Sequence, residues 1–213
     1  MNFDEFLKRI SKIKNIPLPA ESSQFKMAPS FRQGVLENQQ EVTKNAKSAG
    51  VLAFFYPDQD RETHFILILR NTYKGVHSAQ VGFPGGKREA QDTSLQDTAV
   101  RETFEEIGVP IADMEIVCPL SQIYIPPSNF YVHPFMAISK TTPHFIRQED
   151  EVESILEIPL QQFFDDNFTI REIVSTSYHV DAEVPAYKLN NHIVWGATAM
   201  MLSEIKDLLK ELM

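Results

Sequence analysis

Residues Gly86 to Val109 read GKREAQDTSLQDTAVRETFEEIGV, and Phe83-Pro84-Gly85-Gly86-Lys87 leads into them. The stretch closes on Arg101-Glu102-Thr103-Phe104-Glu105-Glu106-Ile107-Gly108-Val109. On a helix, Glu102, Glu105 and Glu106 fall at i, i+3 and i+4, so three carboxylates crowd one face within a turn. Like charges at that spacing weaken a helix by roughly a few tenths of a kcal/mol per pair. A hard divalent cation removes the conflict, because Mg²⁺ takes oxygen ligands and keeps positions for water and substrate phosphates. The pattern predicts a metal-dependent site for phosphate chemistry.

The helix carrying these carboxylates is specified at both ends. Thr93 with Gln96 reads as a capping box, and Ser94 is a second N-cap candidate. Gly108 stands where a left-handed residue closes a helix. Leu95, Ala99, Val100, Thr103, Phe104 and Ile107 fan over the side turned from the glutamates, which predicts one buried face and one presented face. Upstream, Gly85 and Gly86 let the backbone approach a ligand closely, and Pro84 stiffens the entry. An isolated Glu-Glu pair before a glycine is ordinarily a solvated face. A double-glycine loop, an acidic residue, a capped helix, the Arg-Glu and Glu-Glu pairs and a terminal glycine together point to a site instead.

The rest of the chain bounds the answer. Its 213 residues and 43% hydrophobic content suit one core with decorated ends: an N-terminal helix and connector over 1–44, packing on a domain over 45–213. The longest apolar run, Val51 to Tyr56, is far too short to span a bilayer. The first residues, MNFDEFLKRISKIKN, lack a signal peptide's apolar core. Phe3, Phe6, Leu7, Ile10 and Ile13 form a helical stripe that reads as a packing face, with membrane-surface contact through Lys8, Arg9, Lys12 and Lys14 the lesser alternative. Cys118 is the sole cysteine, which excludes an intramolecular disulfide and a cysteine metal cluster and fits a reducing cytoplasm. A net charge of −9 argues against nucleic-acid binding, so an enzyme for an anionic substrate must gather positive charge locally. The sequence leaves the oligomeric state open, a homodimer included.

Strands are predicted at 48–56 and 64–70 around the turn Pro57-Asp58-Gln59-Asp60, with a short strand near Val81 to Phe83 in a loop over 71–87. Beyond the motif helix come strands near 112–118 and 131–138, with Ile125-Pro126-Pro127-Ser128-Asn129-Phe130 as a rigid loop between them. An acidic segment from Glu149 leads to Ile158-Pro159-Leu160, and a helix can begin at Leu160. Strands near 170–180 and 184–190 precede a final helix from about Gly196 to Leu212. Strands around a helix without regular βαβ alternation give an α+β class.

The motif residues resemble the signature of the Nudix hydrolases: a glycine, five residues, Glu, seven residues, Arg-Glu, an aliphatic, any residue, Glu-Glu, any residue, Gly, an aliphatic. Counted from Gly86, five residues lead to Asp92 and eight to Arg101-Glu102, so Asp replaces Glu, one residue is inserted, and Thr103 replaces an aliphatic. The Asp and the insertion are similar to the coenzyme A diphosphatase branch. That branch carries a further signature, which here runs from Ile66 to Gly86; Arg70, Val81, Phe83, Pro84, Gly85 and Gly86 match it. Ile68, Asn71, Gly75 and Ala79 depart from it. Tyr124 to Phe130 and Ile193 to Ala199 also look like that branch.

The resemblance implies an α/β/α sandwich around a mixed sheet, and hydrolysis of the diphosphate of coenzyme A or its thioesters to 3′,5′-ADP and 4′-phosphopantetheine with Mg²⁺ or Mn²⁺. It makes Glu102, Glu105 and Glu106 the metal set, Glu102 and Glu106 being the pair for direct ligation. Glu105 would add a ligand or orient the attacking water. Arg101 is expected to pair with Asp92 and position the cluster. Glu151 is the candidate from a later loop for ligand or general base, and its other reading is one carboxylate in an acidic run; the base stays open between it and a motif glutamate. For the substrate, Gly85, Gly86 and Lys87 would hold the diphosphate with Arg70. Lys74 would replace the arginine missing at Gly75, and His77 is either a donor to phosphate or structural. ADP-ribose or a dinucleotide is the alternative substrate, and a silent nucleotide sensor the alternative class.

Overall fold

A computed structural model of the chain describes residues 1–32, 42–71, 80–175 and 181–212. Its centre is β1 (Lys47–Pro57), a strand apolar on both faces and therefore buried on both. Along it, Ala49, Ala53 and Phe55 belong to one core cluster, while Leu52, Phe54 and Tyr56 belong to another. Its parallel neighbour is β7 (Phe130–Ile138), in register from Lys47↔Phe130 to Phe55↔Ile138. On the other edge it starts a hairpin with β2 (Thr63–Arg70), but the two pair only from Phe55↔Phe65 to Pro57↔Thr63. They then diverge, and two short strands fill the wedge. β3 (Val81–Gly82) pairs with Ile68 and Leu69 of β2, and β4 (Gly85–Lys87) pairs with Ala49 to Val51 of β1. β8 (Val152–Pro159) covers the far edge of β2; β5 (Glu115–Pro119) and β6 (Ile123–Ile125) pair with β7. One parallel pairing among antiparallel ones makes this eight-stranded sheet mixed.

Helices cover both faces. α3 (Leu95–Ile107) lies on the side of Leu52, Phe54, Ile66 and Ile68. It lies so close that a Cβ on Gly50 would stand 2.2 Å from the carbonyl oxygen of Leu95. On the opposite face sit α1 (Phe3–Ile10), α2 (Glu21–Gln24) and α5 (Gly196–Glu211), with Ala53, Phe55, Phe65 and Leu67 beneath them. This is the α/β/α sandwich that the resemblance implies. Phe3 and Phe6 are fully buried, and the Phe6 ring lies 5.3 Å from that of Phe55. After α4 (Leu160–Phe164), a second sheet of β9 (Thr169–Val174), β10 (Ala182–Leu189) and β11 (His192–Trp195) puts Tyr187, Leu189 and Val194 into the same core as α5.

The sequence expectation needs correcting at four strands. Gly85–Lys87 is a strand, although two glycines disfavour one, because the divergence of β1 from β2 leaves backbone groups that the segment satisfies. β8 forms from the acidic segment, and β6 from residues that read as loop. β11 adds a hairpin partner to β10 through Asn190 and Asn191, both at positive φ.

Candidate active site

The motif helix begins one residue later than the Thr93–Gln96 pair suggests. Ser94 is the N-cap: its Oγ accepts the Asp97 N–H at 3.1 Å, and the Asp97 carboxylate accepts the Ser94 N–H at 3.0 Å. The Thr93 hydroxyl also donates to Asp97. Ala99, Val100, Thr103 and Ile107 of the expected face are buried, but its edge differs. Phe104 is 46% exposed and Glu106 is 1% exposed, because Gly50 admits the Leu95–Ala99 side and so carries Glu106 inward against β4. At the other end Gly108 takes φ 74°, and a Cβ there would meet Ile146 at 2.6 Å.

Glu106 and Glu102 both face the glycine strand. Glu106 Oε2 accepts the Gly85 N–H at 2.8 Å. A Cβ on Gly86 would stand 2.4 Å from the Glu102 carboxylate. Arg70, from the end of β2, places Nη1 2.9 Å from Glu106 Oε1, off the line of its N–H, so that oxygen is buried without a directed hydrogen bond. Arg101 works from the other side. Its Nε and Nη2 donate to the two oxygens of Asp92 at 2.8 and 2.9 Å, while Nη1 lies 3.0 Å from Glu102 and 2.9 Å from Glu105. Asp92 also accepts from the Glu89 N–H and the Thr98 hydroxyl.

These environments separate the carboxylates electrostatically. Burial pushes Glu106 up to about 7, against the pull of Arg70 and of the Gly85 N–H. Burial also raises Glu102, opposed by Arg101 and reinforced by Glu105 and Glu151. Asp92 goes the other way: hydrogen bonds from Arg101 hold it well below the usual carboxylate range. Among the described residues no three His, Cys, Asp or Glu side chains form a group that could hold a metal ion. Glu105 is half-exposed and tied to Arg101, which leaves Glu102 and Glu106 as the adjacent pair. Two carboxylates, with one oxygen buried and lacking a directed partner, fit a hard cation that completes its shell with water and phosphate oxygens.

Glu151 is brought to this cluster by a segment whose role no periodicity reveals. The Ile146 N–H donates to the Ile107 carbonyl and the Gln148 N–H to the Glu106 carbonyl, closing the end of α3. Gln148 Oε1 then accepts the N–H groups of Asp150 and Glu151. The negative charge of Glu151 acts on both Glu102 and Glu106. Its own side chain is exposed. Lys74 and His77 lie outside the described residues.

Across β4 from the glutamates opens a cavity of about 370 Å³. Ala49, Val51 and Val132 line it, with Arg70, Gly85, Gly86 and Lys87, with Trp195 at the end of β11, and with Gly196 to Thr198 of α5. Phe31, Arg32, Pro127, Ser128 and Phe130 also line it. Arg70 thus faces both the cavity and Glu106. Arg32 and Ser128 were not anticipated: a proline-containing connector and a loop offer no pattern that singles out one arginine or one serine.

A family model described as NUDIX domain matches residues 46–176. A peroxisomal coenzyme A diphosphatase of Caenorhabditis elegans is 29% identical over 161 residues, covering 75% of this chain and 67% of that protein. Among solved structures, a Nudix hydrolase from M. smegmatis, RenU, superposes with a TM-score of 0.54 at 13% identity, covering 78% of this chain and 87% of that one. A bifunctional NMN adenylyltransferase/ADP ribose pyrophosphatase from Francisella tularensis, complexed with AMP and a Mn ion, gives 0.51 at 14% identity, covering 85% and 47%. No helix among the described residues is long and apolar enough to cross a membrane. The family match spans well over half of the sequence and takes in the glycine strand, the glutamate helix and the segment that carries Glu151, and this chain belongs to the Nudix hydrolase family.

Proposed function

We propose that the protein hydrolyses the diphosphate bond of coenzyme A or its thioesters, releasing 3′,5′-ADP and 4′-phosphopantetheine or its acyl form. One observation carries this reading: a largely apolar cavity meets the carboxylate pair across a strand of two glycines, with Arg70 facing both. A substrate with a bulky group at each end of a diphosphate suits that arrangement. The likeness to the C. elegans diphosphatase and the signature matches at Arg70 and Val81 to Gly86 support the choice of coenzyme A.

Glu102 and Glu106 would hold Mg²⁺ or Mn²⁺, which when bound neutralises diphosphate oxygens and lowers the pKa of a bound water. Gly85 and Gly86 let the diphosphate lie against the backbone, where a side chain would collide with Val51 or Glu102. Arg70 pairs with a phosphate oxygen once Glu106 has another positive partner, and exposed Lys87 adds charge at the cavity edge. Arg101, anchored on Asp92, fixes Glu102 and Glu105 in place, and Glu105 acts through that arginine. A carboxylate of the cluster, Glu151 or Glu102, takes the proton of the attacking water. The oxygen of that water bonds to one phosphorus as the bridging P–O bond breaks, and each product leaves with a phosphate. A reducing cytoplasm is the compartment proposed.

The test is incubation of purified protein with coenzyme A and Mg²⁺ or Mn²⁺, with an EDTA control, and separation of products by ion-pair chromatography. Cation-dependent 3′,5′-ADP with 4′-phosphopantetheine supports the reading. Intact coenzyme A alongside cleaved ADP-ribose or dinucleotide moves the substrate to the second reading, which the departures at Gly75 and Ala79 favour. Stoichiometric binding without turnover of any of them would make the domain a sensor.

A further inference from the structure

Among the described residues, three buried side-chain polar atoms lack a hydrogen-bond partner: Glu106 Oε1, Arg32 Nε and Ser128 Oγ. The first belongs to the carboxylate pair. The other two residues both line the cavity, on the wall formed by 29–32 and the 126–130 turn. Leaving a buried donor unmade costs about 1–3 kcal/mol, more for a charged group, so both side chains gain by turning their polar groups to a ligand in the cavity that they line.

The wall is built to hold them. Arg32 donates through Nη2 to the Tyr124 carbonyl at 2.6 Å, which fixes the guanidinium to the end of β6. Pro126 opens a 3₁₀ turn that ends on Asn129 at φ 55°, and the Tyr124 hydroxyl donates to Asn129 Oδ1 at 3.1 Å, so Ser128 sits in a braced turn. Burial pulls the Arg32 pKa below its usual value, with Glu21 only partly offsetting it.

Strand order sets the distance to the reaction. β4, β1, β7 and β6 lie side by side, so at 4.7–4.9 Å per strand the Tyr124 end of the wall stands roughly 14 Å of backbone spacing from the glycine strand. The guanidinium, held 2.6 Å from the Tyr124 carbonyl, keeps most of that span between itself and the glycine strand. Phe31, Phe130 and Trp195 line the intervening space with rings suited to a nucleobase.

We infer that Arg32 and Ser128 form a subsite for a phosphate monoester on the nucleotide half of the substrate, so that they select nucleoside diphosphate derivatives carrying an extra phosphate on the ribose. The inference rests on the reading of this chain as a coenzyme A diphosphatase. Guanidinium suits a phosphate, and the serine hydroxyl adds a donor to a second oxygen.

The test compares kcat/KM for coenzyme A and for coenzyme A lacking its 3′-phosphate, in the wild type and in Arg32→Met, Arg32→Lys and Ser128→Ala. The wild type should prefer coenzyme A by about tenfold or more. In Arg32→Met that ratio should collapse to near one, through the KM of coenzyme A rather than kcat; Arg32→Lys should restore part of it, and Ser128→Ala should lose less. A wild type that does not discriminate, or an Arg32→Met that weakens both substrates equally, overturns the subsite. If the wild type cleaves neither compound, the proposed function falls and calorimetry decides the subsite alone. Tighter wild-type binding of 3′,5′-ADP than of 5′-AMP, lost in Arg32→Met, upholds it; equal wild-type affinities overturn it.

Discussion

The carboxylates of α3 differ in what surrounds each one, and that difference predicts how each mutant behaves. Glu102→Gln and Glu106→Gln should lower kcat by about 10² or more, whereas Glu105→Gln, half-exposed and acting through Arg101, should cost less. Steady-state assays at saturating cation check the ranking, and equal losses at all three would restore Glu105 to the ligand set. Glu106 also carries a stability signature. Its folded pKa of about 7 lies above the ordinary 4.5, so the native state holds an extra proton between those values. Stability from that proton is present below pH 4.5 and is lost as pH rises through 7. Glu106→Gln should therefore raise Tm in EDTA at pH 8 and match wild type near pH 4.5, and Mg²⁺ should raise the wild-type Tm at pH 8 but not that of the mutant. Thermal melts at both pH values decide it. The Arg101–Asp92 pair was legible through the family resemblance, and the two side chains do meet. The burial of Glu106 was not, since it depends on a glycine in a distant strand.

That glycine belongs to the scale of elements. Gly50 and Gly86 both remove a Cβ near α3, yet they meet different obstacles. A Cβ on Gly50 runs into helix backbone at 2.2 Å, whereas one on Gly86 runs into the movable end of Glu102. Gly50→Ala should thus lift α3 off the sheet, costing about 2–3 kcal/mol and lowering Tm by roughly 5–10 °C. Gly86→Ala should keep the fold and displace Glu102, with Tm nearly unchanged and kcat down by tenfold or more. Calorimetry with kinetics separates the two, and an active Gly86→Ala would remove the glycine strand from the site. Apart from β8, the long strands and helices were legible here because periodicity and caps are local. β4 was not, because it satisfies a strand remote in sequence, and β6 was not, because three residues closing a local hairpin on β7 are too few to show a period.

Across the whole molecule, the cavity depends on contacts between the two ends of the chain. Gln24 donates to Glu204 at 3.1 Å and to the Ser121 carbonyl at 3.3 Å, and the Ser203 hydroxyl donates to the Ser23 carbonyl at 2.8 Å. These bonds seat residues 21–27 on α5 and carry Phe31 and Arg32 over the cavity. Gln24→Ala strands the buried Glu204 carboxylate, so it should cost about 1–3 kcal/mol and raise KM more than kcat falls. A melt with a full kinetic titration would expose a purely structural role as a Tm drop without a change in KM. The stripe of Phe3, Phe6, Leu7, Ile10 and Ile13 showed in the sequence as a packing face; Leu7 is partly buried and the other four are buried. Nothing local in the connector revealed that its far end overhangs a ligand space.

The family match stops short of two of the cavity walls: residues 29–32 and 195–201 fall outside 46–176, while Gly85, Gly86 and the glutamates fall inside. The proposed molecular choice is thus written partly outside the family match, in Arg32, and partly inside it, in Ser128, whereas bond breaking lies within it. A lineage could exchange its clientele by rewriting its two ends, with the inherited reaction centre left untouched, and an engineer could attempt the same by transplanting those ends onto a relative.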